Sequence, residues 1–322
     1  MKTVKLGSTG EIVSEMCLGT MMFGDRCDEA QSDRILAAAI DRGVNFVDTA
    51  AMYVGGHTEE ILGRILKGRR DKLFLVTKVH KGVDGKSIRE SIDESLERLQ
   101  TDYVDLYLIH WPEPGMRPVE IMQALNAVVE QGKTRYVGCC NYPAWLYAHS
   151  NAIAERNGWA TLVGNQIPYN LLERGAEVEV LPQATAEGLA ITTYRPLVMG
   201  LLAGKYVPGK PLPADARGQT DLRLPAWLEE YGQGIRSLLD FAETRGLHPA
   251  QVAISWVRHS PAVTAPVVGV SSVEQLDATV AAFDFSLTDE EYTRVTGFFD
   301  TAVKEETGGK FPELRRELNL IG

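Results

Sequence analysis

Short apolar runs alternate with amphipathic stretches along most of the chain. Within residues 29–42, Ile35, Ala38 and Ala39 recur at helical spacing and predict a helix. The apolar run that follows, residues 44–49, is too short for a typical helix and predicts a strand. Gly43 separates the two segments and is typical of a helix end, because glycine tolerates the left-handed conformation. The pattern therefore predicts strands and helices in alternation.

The alternation extends over eight predicted strands. The strands are residues 16–21, 44–49, 73–79, 104–110, 136–140, 162–167, 190–194 and 265–270. The helices are residues 29–42, 58–67, 87–99, 118–131, 143–156, 176–187, 273–282 and 289–299. Residues 4–13 predict a β-hairpin that turns at residues 8–10 and closes the bottom of a barrel. This order favours an α/β fold, a (β/α)8 TIM barrel forming one domain over residues 1–322.

An open doubly wound sheet is the alternative topology, but no Gly-x-Gly-x-x-Gly turn follows an early strand. Residues 197–234 interrupt the rhythm with glycines, prolines and charges, which predicts a long loop after the seventh strand. A loop of that length is typical of a lid or a binding loop. The tail beyond residue 304 is charged, which fits a mobile segment or one that folds over the barrel mouth.

Composition narrows the classes of partner. The 322 residues carry a net charge of -10, which argues against nucleic acid and anionic membranes as partners. The four cysteines show no metal-ligand spacing, and reduced thiols are expected. No secretory leader and no run near the roughly 18 apolar residues of a membrane span are found. A cytoplasmic protein without a metal site is expected.

Four residues at or just beyond predicted strand ends are the candidate catalytic group: Asp48, Tyr53, Lys78 and His110. In a (β/α)8 barrel the carboxyl ends of the strands form the active-site face. The Lys78 ammonium is expected to lower the pKa of the Tyr53 phenol, while Asp48 holds the lysine. His110 would orient a carbonyl oxygen that Tyr53 protonates. A hydride donor beside this group would complete a carbonyl reductase or, in reverse, an alcohol dehydrogenase.

The hydride must come from a cofactor, because side chains cannot supply one. Asn141 and Gln166 follow or end predicted strands, and each offers both a donor and an acceptor to a carboxamide. Tyr194 can stack on a nicotinamide ring. These three residues are the expected contacts of the reactive end of the cofactor.

Two further segments suit phosphate groups. Backbone amides of the turn that begins at Gly200 can approach a phosphate, with Lys205 as the counter-charge. Gly269 and Ser271 precede the predicted helix 273–282, and a helix N-terminus favours anions. These segments are the expected contacts of the cofactor's phosphate groups.

Motifs from one end of the chain to the other resemble those of the aldo-keto reductases, in the branch that includes potassium-channel β-subunit-like proteins. The resemblance spans roughly residues 4–299. It is carried by residues 45–50 with Tyr53, Gly56 and Glu59, and by residues 75–78, 105–112, 132–141, 165–166, 194–202 and 269–276. It implies that Tyr53 is the acid, that Asp48 and Lys78 tune it, and that His110 orients the substrate.

The resemblance also implies NADP(H) extended across the barrel mouth, with NAD(H) as the alternative. The expected cofactor contacts are Gly19, Thr20, Asp48, Asn141, Gln166, Tyr194, Arg195, Leu197, Gly200, Lys205, Gly269, Ser271, Gln275 and Thr279. Met22 and Trp111 are the expected substrate-pocket residues. The partner is a small-molecule carbonyl or alcohol, and assembly into a homo-oligomer stays open.

Five positions depart from the family pattern. Val54 stands where glycine commonly follows the catalytic tyrosine, and Cys140 replaces the usual serine before Asn141. Arg195 replaces a serine and is in a position to contact phosphate or substrate. Ser271 and Thr279 stand where arginine and asparagine are often found. The last two bear on the choice between NADPH and NADH, and NADPH is the favoured cofactor.

Two other functions remain as alternatives. The first is a cofactor-binding regulatory or interaction subunit, like the channel β-subunits, with residual reductase activity. The second is a phosphate-binding isomerase or aldolase that uses Lys78 as a Schiff-base amine. Each of the four candidate catalytic residues also has a structural explanation when it is taken alone. Their joint occurrence in family order favours the reductase.

Overall fold

A computed structural model of the protein describes residues 1–80, 82–212 and 223–299. Within these ranges the strands are β1 (Thr3–Lys5), β2 (Ile12–Ser14), β3 (Cys17–Gly19), β4 (Phe46–Asp48), β5 (Phe74–Lys78), β6 (Val104–Ile109), β7 (Thr134–Cys140), β8 (Leu162–Pro168), β9 (Ala190–Tyr194) and β10 (Val263–Gly269). The helices are α1 (Glu29–Asp41), α2 (His57–Ile65), α3 (Gly85–Leu99), α4 (Pro118–Glu130), α5 (Ala144–Asn157), α6 (Val180–Glu187), α7 (Arg223–Glu230), α8 (Gly232–Thr244), α9 (Pro249–His259), α10 (Val273–Ala282) and α11 (Asp289–Gly297).

Eight parallel strands close into a barrel in the order β10-β3-β4-β5-β6-β7-β8-β9. Strands β1 and β2 form a separate antiparallel hairpin. The predicted (β/α)8 barrel with an N-terminal hairpin is therefore confirmed, and the open sheet is excluded. Gly19 on β3 pairs with Asp48 on β4, so neighbouring strands end side by side at the barrel mouth.

The barrel interior is a distinct apolar cluster that the hairpin closes from below. Leu6 and Val13 of the hairpin region are fully buried and pack with interior residues such as Phe46 and Phe74. Alternate strand residues point inward and outward, so Cys140 joins this interior cluster while Cys139 faces the helices. The barrel is therefore a packed core that is sealed at its lower end.

Helices fill much of the connection between β9 and β10, which corrects the sequence prediction. The prediction of a single loop over residues 197–234 is wrong for its C-terminal part, because α7 and the start of α8 lie there. Helix α9, which the apolar pattern did not identify, completes the seventh unit. Ile235 and Leu238 of α8 pack into a second apolar cluster, and His248 caps α9. Residues 213–222 and the tail beyond residue 304 lie outside the described residues.

Candidate active site

Three adjacent strands deliver three of the four candidate catalytic side chains. Asp48 ends β4, Lys78 ends β5, and His110 follows β6 directly. Tyr53 lies on a short 3-10 turn, Tyr53–Gly56, that follows β4. The structure therefore brings the predicted group together at the carboxyl ends of the strands.

The Lys78 ammonium is the centre of this group and is fully buried. Its Nζ donates to Asp48 Oδ1 at 2.6 Å, to the carbonyl oxygen of Thr49 at 2.8 Å and to Tyr53 Oη at 3.2 Å. An ammonium has three protons, so each is used. Asp48 Oδ2 also accepts from Gln166 Nε2 at 2.8 Å. The positive charge is thus fixed in position beside the phenol oxygen.

The protonation state of Lys78 follows from its neighbours. Burial by itself would lower the pKa of this amine, but Asp48, followed by Tyr53, outweighs that cost and holds the pKa above its ordinary value. Lys78 is therefore an ammonium at neutral pH.

The Tyr53 phenol behaves differently from the expectation. Burial is the largest influence on it and exceeds the opposing effect of Lys78, so the pKa of Tyr53 rises to about 12. The expected net lowering of this pKa is wrong, although Lys78 acts in the expected direction. Burial removes water that would stabilise the phenolate, and this effect raises the pKa. The Lys78 ammonium stabilises the phenolate less than water would, because Asp48 already neutralises much of its charge. Tyr53 therefore carries its proton at neutral pH.

His110 faces Tyr53 and lies against Trp111. The Tyr53 and His110 ring centroids are 6.3 Å apart in an edge-to-face arrangement, and the His110 and Trp111 rings stack at 6.5 Å. Burial, then Lys78, then His80 lower the pKa of His110 to about 3. His110 Nδ1 is buried and has no hydrogen-bond partner among the described residues. His110 is therefore a neutral imidazole at neutral pH, with one ring N–H donor and one ring acceptor.

The turn that carries Tyr53 has an unusual backbone. Val54 has φ 49°, Gly55 has φ 65° and Gly56 has φ 98°, so three successive residues are left-handed. A β-branched residue in this region is strained by about 1–2 kcal/mol. The departure of Val54 from the usual glycine therefore falls at a position where glycine is the better residue.

A buried carboxylate behind this turn was not identified as important by the sequence. Glu59 on α2 is fully buried, accepts from Thr77 Oγ1 at 2.5 Å and pairs with Arg98 Nε at 2.8 Å. Thr77 precedes Lys78 on β5, so Glu59 links the Tyr53 turn to the strand that carries the ammonium. Its only signal in the sequence was its place in the family motif.

The residues expected at the carboxamide also lie together. Asn141, in a left-handed conformation with φ 61°, donates from Nδ2 to the carbonyl oxygen of His110 at 3.1 Å. Tyr194 Oη donates to Asn141 Oδ1 at 2.7 Å. Gln166 uses only Nε2 in its bond to Asp48, and its Oε1 accepts no hydrogen bond from the described residues. A carboxamide N–H fits that free acceptor.

The expected phosphate contacts lie in two segments. Gly200 has φ 94° within the 3-10 turn Val198–Ala203, and Lys205 beyond it is exposed. Leu197 is partly buried against the core. At the start of α10, the Ser271 N–H and hydroxyl both donate to Gln275 Oε1, at 2.9 and 3.0 Å. Both segments therefore have defined backbone turns at the barrel mouth.

The remaining expected cofactor contacts are more enclosed. Thr20 is fully buried and donates from Oγ1 to the carbonyl oxygen of Asp48 at 2.9 Å, beside Gly19. Thr279 is buried on α10, and Gly269 is exposed at the end of β10. Thr20 and Gly19 thus hold the end of β4, which carries Asp48, and Gly269 is open to solvent.

Exposed apolar side chains directly adjoin Thr20, Tyr53 and His110 in the chain. Met21, Met52 and Trp111 are each between 44% and 47% exposed, which is unusual for large apolar residues. Met22, expected in the pocket, packs partly against the core, whereas Trp111 is exposed. Exposed apolar side chains next to buried polar ones are common in small-molecule sites.

Comparison with models of known protein families identifies the family of this chain. The model of the Aldo/keto reductase family matches residues 15–299. The chain belongs to the aldo-keto reductase family. The resemblance carried by the motifs is thereby confirmed. Like its family, this enzyme is an oxidoreductase that acts on small-molecule carbonyls with NAD(P)H.

Curated relatives of this aldo-keto reductase match over nearly their whole lengths. "Uncharacterized oxidoreductase YrpG" of Bacillus subtilis (strain 168) is 36% identical over 97% of this chain and 99% of its own length. "Versiconal hemiacetal acetate reductase" of Aspergillus parasiticus is 31% identical over 90% and 95%. "Probable voltage-gated potassium channel subunit beta" of Oryza sativa subsp. japonica is 31% identical over 88% and 92%.

A solved aldo-keto reductase has the same fold. The thermostable Tm1743, crystallised with the inhibitor epalrestat, superposes with a TM-score of 0.76 at 29% identity and covers 92% of this chain and 100% of its own. In residues 1–80, 82–212 and 223–299, no cluster of three potential metal ligands occurs. The helices of the same ranges are too short or too polar to cross a membrane.

Proposed function

We propose that the protein reduces the carbonyl group of an aldehyde, ketone or sugar with NADPH, and that Tyr53 is the general acid. The observation that carries the proposal is the 3.2 Å contact between the buried Lys78 Nζ and Tyr53 Oη. A protonated phenol held by a fixed ammonium is a proton donor whose conjugate base is stabilised as it forms.

The residues at the barrel mouth suit the nicotinamide end of the cofactor. Gln166 Oε1 and the Asn141 amide would hold the carboxamide, and the Tyr194 ring would pack on the nicotinamide. The phosphates would lie along the Gly200 turn toward the start of α10. NADPH, when bound, supplies a hydride to the carbonyl carbon. The preference for NADPH over NADH is part of the proposal and is tested by dissociation constants measured for both.

The proposed proton transfer involves the side chains of His110, Tyr53, Lys78 and Asp48. The neutral His110 imidazole donates a hydrogen bond to the carbonyl oxygen and orients it. Tyr53 Oη then gives its proton to that oxygen as negative charge develops there. Lys78 stabilises the resulting phenolate at 3.2 Å, while Asp48 keeps the ammonium charged. In alcohol oxidation the same steps run in reverse, with the phenolate as the base.

The substitution Tyr53→Phe tests the role of the phenol. It removes the transferred proton and should reduce kcat by about 10²–10⁴-fold, because a positioned acid contributes that much. NADPH binding, followed by fluorescence, should persist. Tyr103→Phe is the matched control, since Tyr103 lies directly before the amino end of β6, at the opposite end of the barrel. Turnover of Tyr53→Phe at the rate of the control would remove Tyr53 as the acid.

A cofactor-binding interaction subunit is the second candidate, supported by the similarity to the channel subunit β relative. It would bind NADPH, show negligible turnover over a broad carbonyl panel and co-purify with a stoichiometric partner. The buried catalytic group favours the reductase. A Schiff-base mechanism at Lys78 is disfavoured, because an ammonium whose three protons are all engaged is a poor nucleophile. Borohydride trapping of a carbonyl on Lys78 would reverse that judgement.

A further inference from the structure

Arg195 is held by an incomplete ion pair. Its Nη2 donates to Glu173 Oε1 at 2.8 Å, and both side chains are about one-quarter exposed, at 25% and 24%. Arg195 Nε is buried and has no partner among the described residues. The neighbouring pair is complete by comparison, since Arg174 binds Glu177 through both Nε and Nη2, at 2.9 and 2.8 Å. Arg195 thus retains an unused donor that its present counter-ion does not reach.

One buried amide holds both members of this pair. The Asn170 side chain is fully buried and donates from Nδ2 to Glu173 Oε2 at 2.9 Å and to the carbonyl oxygen of Arg195 at 3.2 Å. Arg195 itself has φ 58°, a conformation that a non-glycine residue keeps only when its surroundings impose it. The turn after β8 and the end of β9 are therefore built to place this guanidinium.

The guanidinium lies beside the residues that are proposed to hold the nicotinamide. Arg195 Cζ is 5.1 Å from the centroid of the Tyr194 ring, whose hydroxyl reaches Asn141. The turn containing Gly200 follows a few residues later. Along a dinucleotide, the diphosphate is the first anionic group beyond the nicotinamide ribose. An anion passing Tyr194 toward the Gly200 turn would meet Arg195 together with its carboxylate.

We propose that Glu173 is the resident counter-ion of Arg195 and that the diphosphate of the entering cofactor displaces it. The inference rests on the proposed NADPH dependence and deepens it. Arg195 forms charge-assisted hydrogen bonds to phosphate oxygens, for which its planar fork is suited. Glu173 lowers cofactor affinity, because the carboxylate must give up Arg195 and then lies near the phosphates. In this proposal, the arginine that replaces the usual serine at position 195 binds the cofactor phosphates, and Glu173 competes with them for it.

The test is a double-mutant cycle on the dissociation constant of NADPH, measured by fluorescence without substrate. Glu173→Gln keeps an oxygen for Asn170 and removes the charge, and it should tighten binding about threefold to tenfold. Arg195→Ser should weaken binding about tenfold or more and reduce its dependence on salt. In the Arg195→Ser background, Glu173→Gln should have little further effect. Glu29→Gln, which removes the same charge from the exposed Arg64 pair, is the control and should change nothing.

Four results would overturn the inference. Unchanged or weaker NADPH binding by Glu173→Gln, in a protein with the parent's melting temperature, removes the competition. If Glu173→Gln changes the NADPH dissociation constant equally with and without Arg195, then Glu173 acts only through its charge and not by competing for Arg195. An unchanged NADPH dissociation constant in Arg195→Ser, with a raised KM for 2-carboxybenzaldehyde but not for benzaldehyde, would assign Arg195 to a substrate carboxylate. Absence of NADPH and NADH binding in the parent protein would overturn the proposed function as well, which separates the two failures.

Discussion

Removing the buried ammonium by Lys78→Met should strongly destabilise the fold as well as abolish turnover. Methionine fills a similar volume, so the cost comes from charge and not from a cavity. Asp48, 1% exposed, would keep only its bond from Gln166 Nε2 and would lose its counter-ion. Breaking one partner of a buried pair costs about 3–5 kcal/mol. We expect that loss in the free energy of unfolding at neutral pH.

The matched control is Lys133→Met. Lys133 Nζ lies 2.6 Å from Asp93 Oδ1, the same distance as in the buried pair, but these side chains are 26% and 57% exposed. An exposed pair contributes about 0–1 kcal/mol, so this substitution should be nearly neutral. The double substitution Lys78→Met with Asp48→Asn should recover about 1–3 kcal/mol relative to Lys78→Met alone, because no unpaired charge remains.

The assay is urea unfolding followed by tryptophan fluorescence, with the free energy extrapolated to water. A cost below about 1 kcal/mol for Lys78→Met would refute the reasoning, since it would mean that Asp48 does not need the ammonium. A double substitution that costs the full sum of the two single ones would refute it equally, because the two charges would then be independent.

Three further results are expected. Val54→Gly should raise the free energy of unfolding by about 1 kcal/mol in urea, whereas Gly55→Ala, next to it at φ 65°, should lower it by a similar amount. Because the pKa of His110 is about 3 in the native state and 6.5 ordinarily, the unfolded chain binds the extra proton between these values. The free energy of unfolding should therefore fall as pH decreases through that window, and less steeply in His110→Gln. With a Tyr53 pKa of about 12, initial rates of carbonyl reduction should be flat from about pH 6 to 9, whereas alcohol oxidation should rise with pH. A reduction rate that falls near pH 8 would contradict that protonation state.

The barrel and the candidate catalytic group could be predicted from the sequence because both follow from local patterns of strands and strand ends. Asp48 and Lys78 end β4 and β5, and His110 follows β6 directly, so strand ends alone place them at one face. Helices α8 and α9 were missed because the preceding glycines and prolines suggested a loop. Ile235 and Leu238 of α8 do have helical spacing, and His248 before Pro249 is a usable start signal.

Other features depend on distances that no local pattern encodes. The pairing of Arg195 with Glu173 joins residues of two separate turns, and Glu59 reaches Thr77 on another element. The pKa of Tyr53 depends on how completely the site is buried, which the residue types do not reveal. The sequence suggested the ammonium that lowers this pKa. It did not reveal the desolvation, which has the larger effect and raises the pKa.

The hairpin at the lower end of the barrel has a consequence for how Tyr53 exchanges protons with water. Leu6 and Val13 fill the lower end of the barrel with hydrocarbon, so among the described residues the Tyr53 phenol faces solvent from the side of the strand carboxyl ends. In the proposed reaction, a carbonyl compound bound next to His110 would lie between Tyr53 and that solvent. In the proposed reaction, Tyr53 would therefore have to carry its proton before the carbonyl compound binds, and it would regain a proton from water after the alcohol leaves.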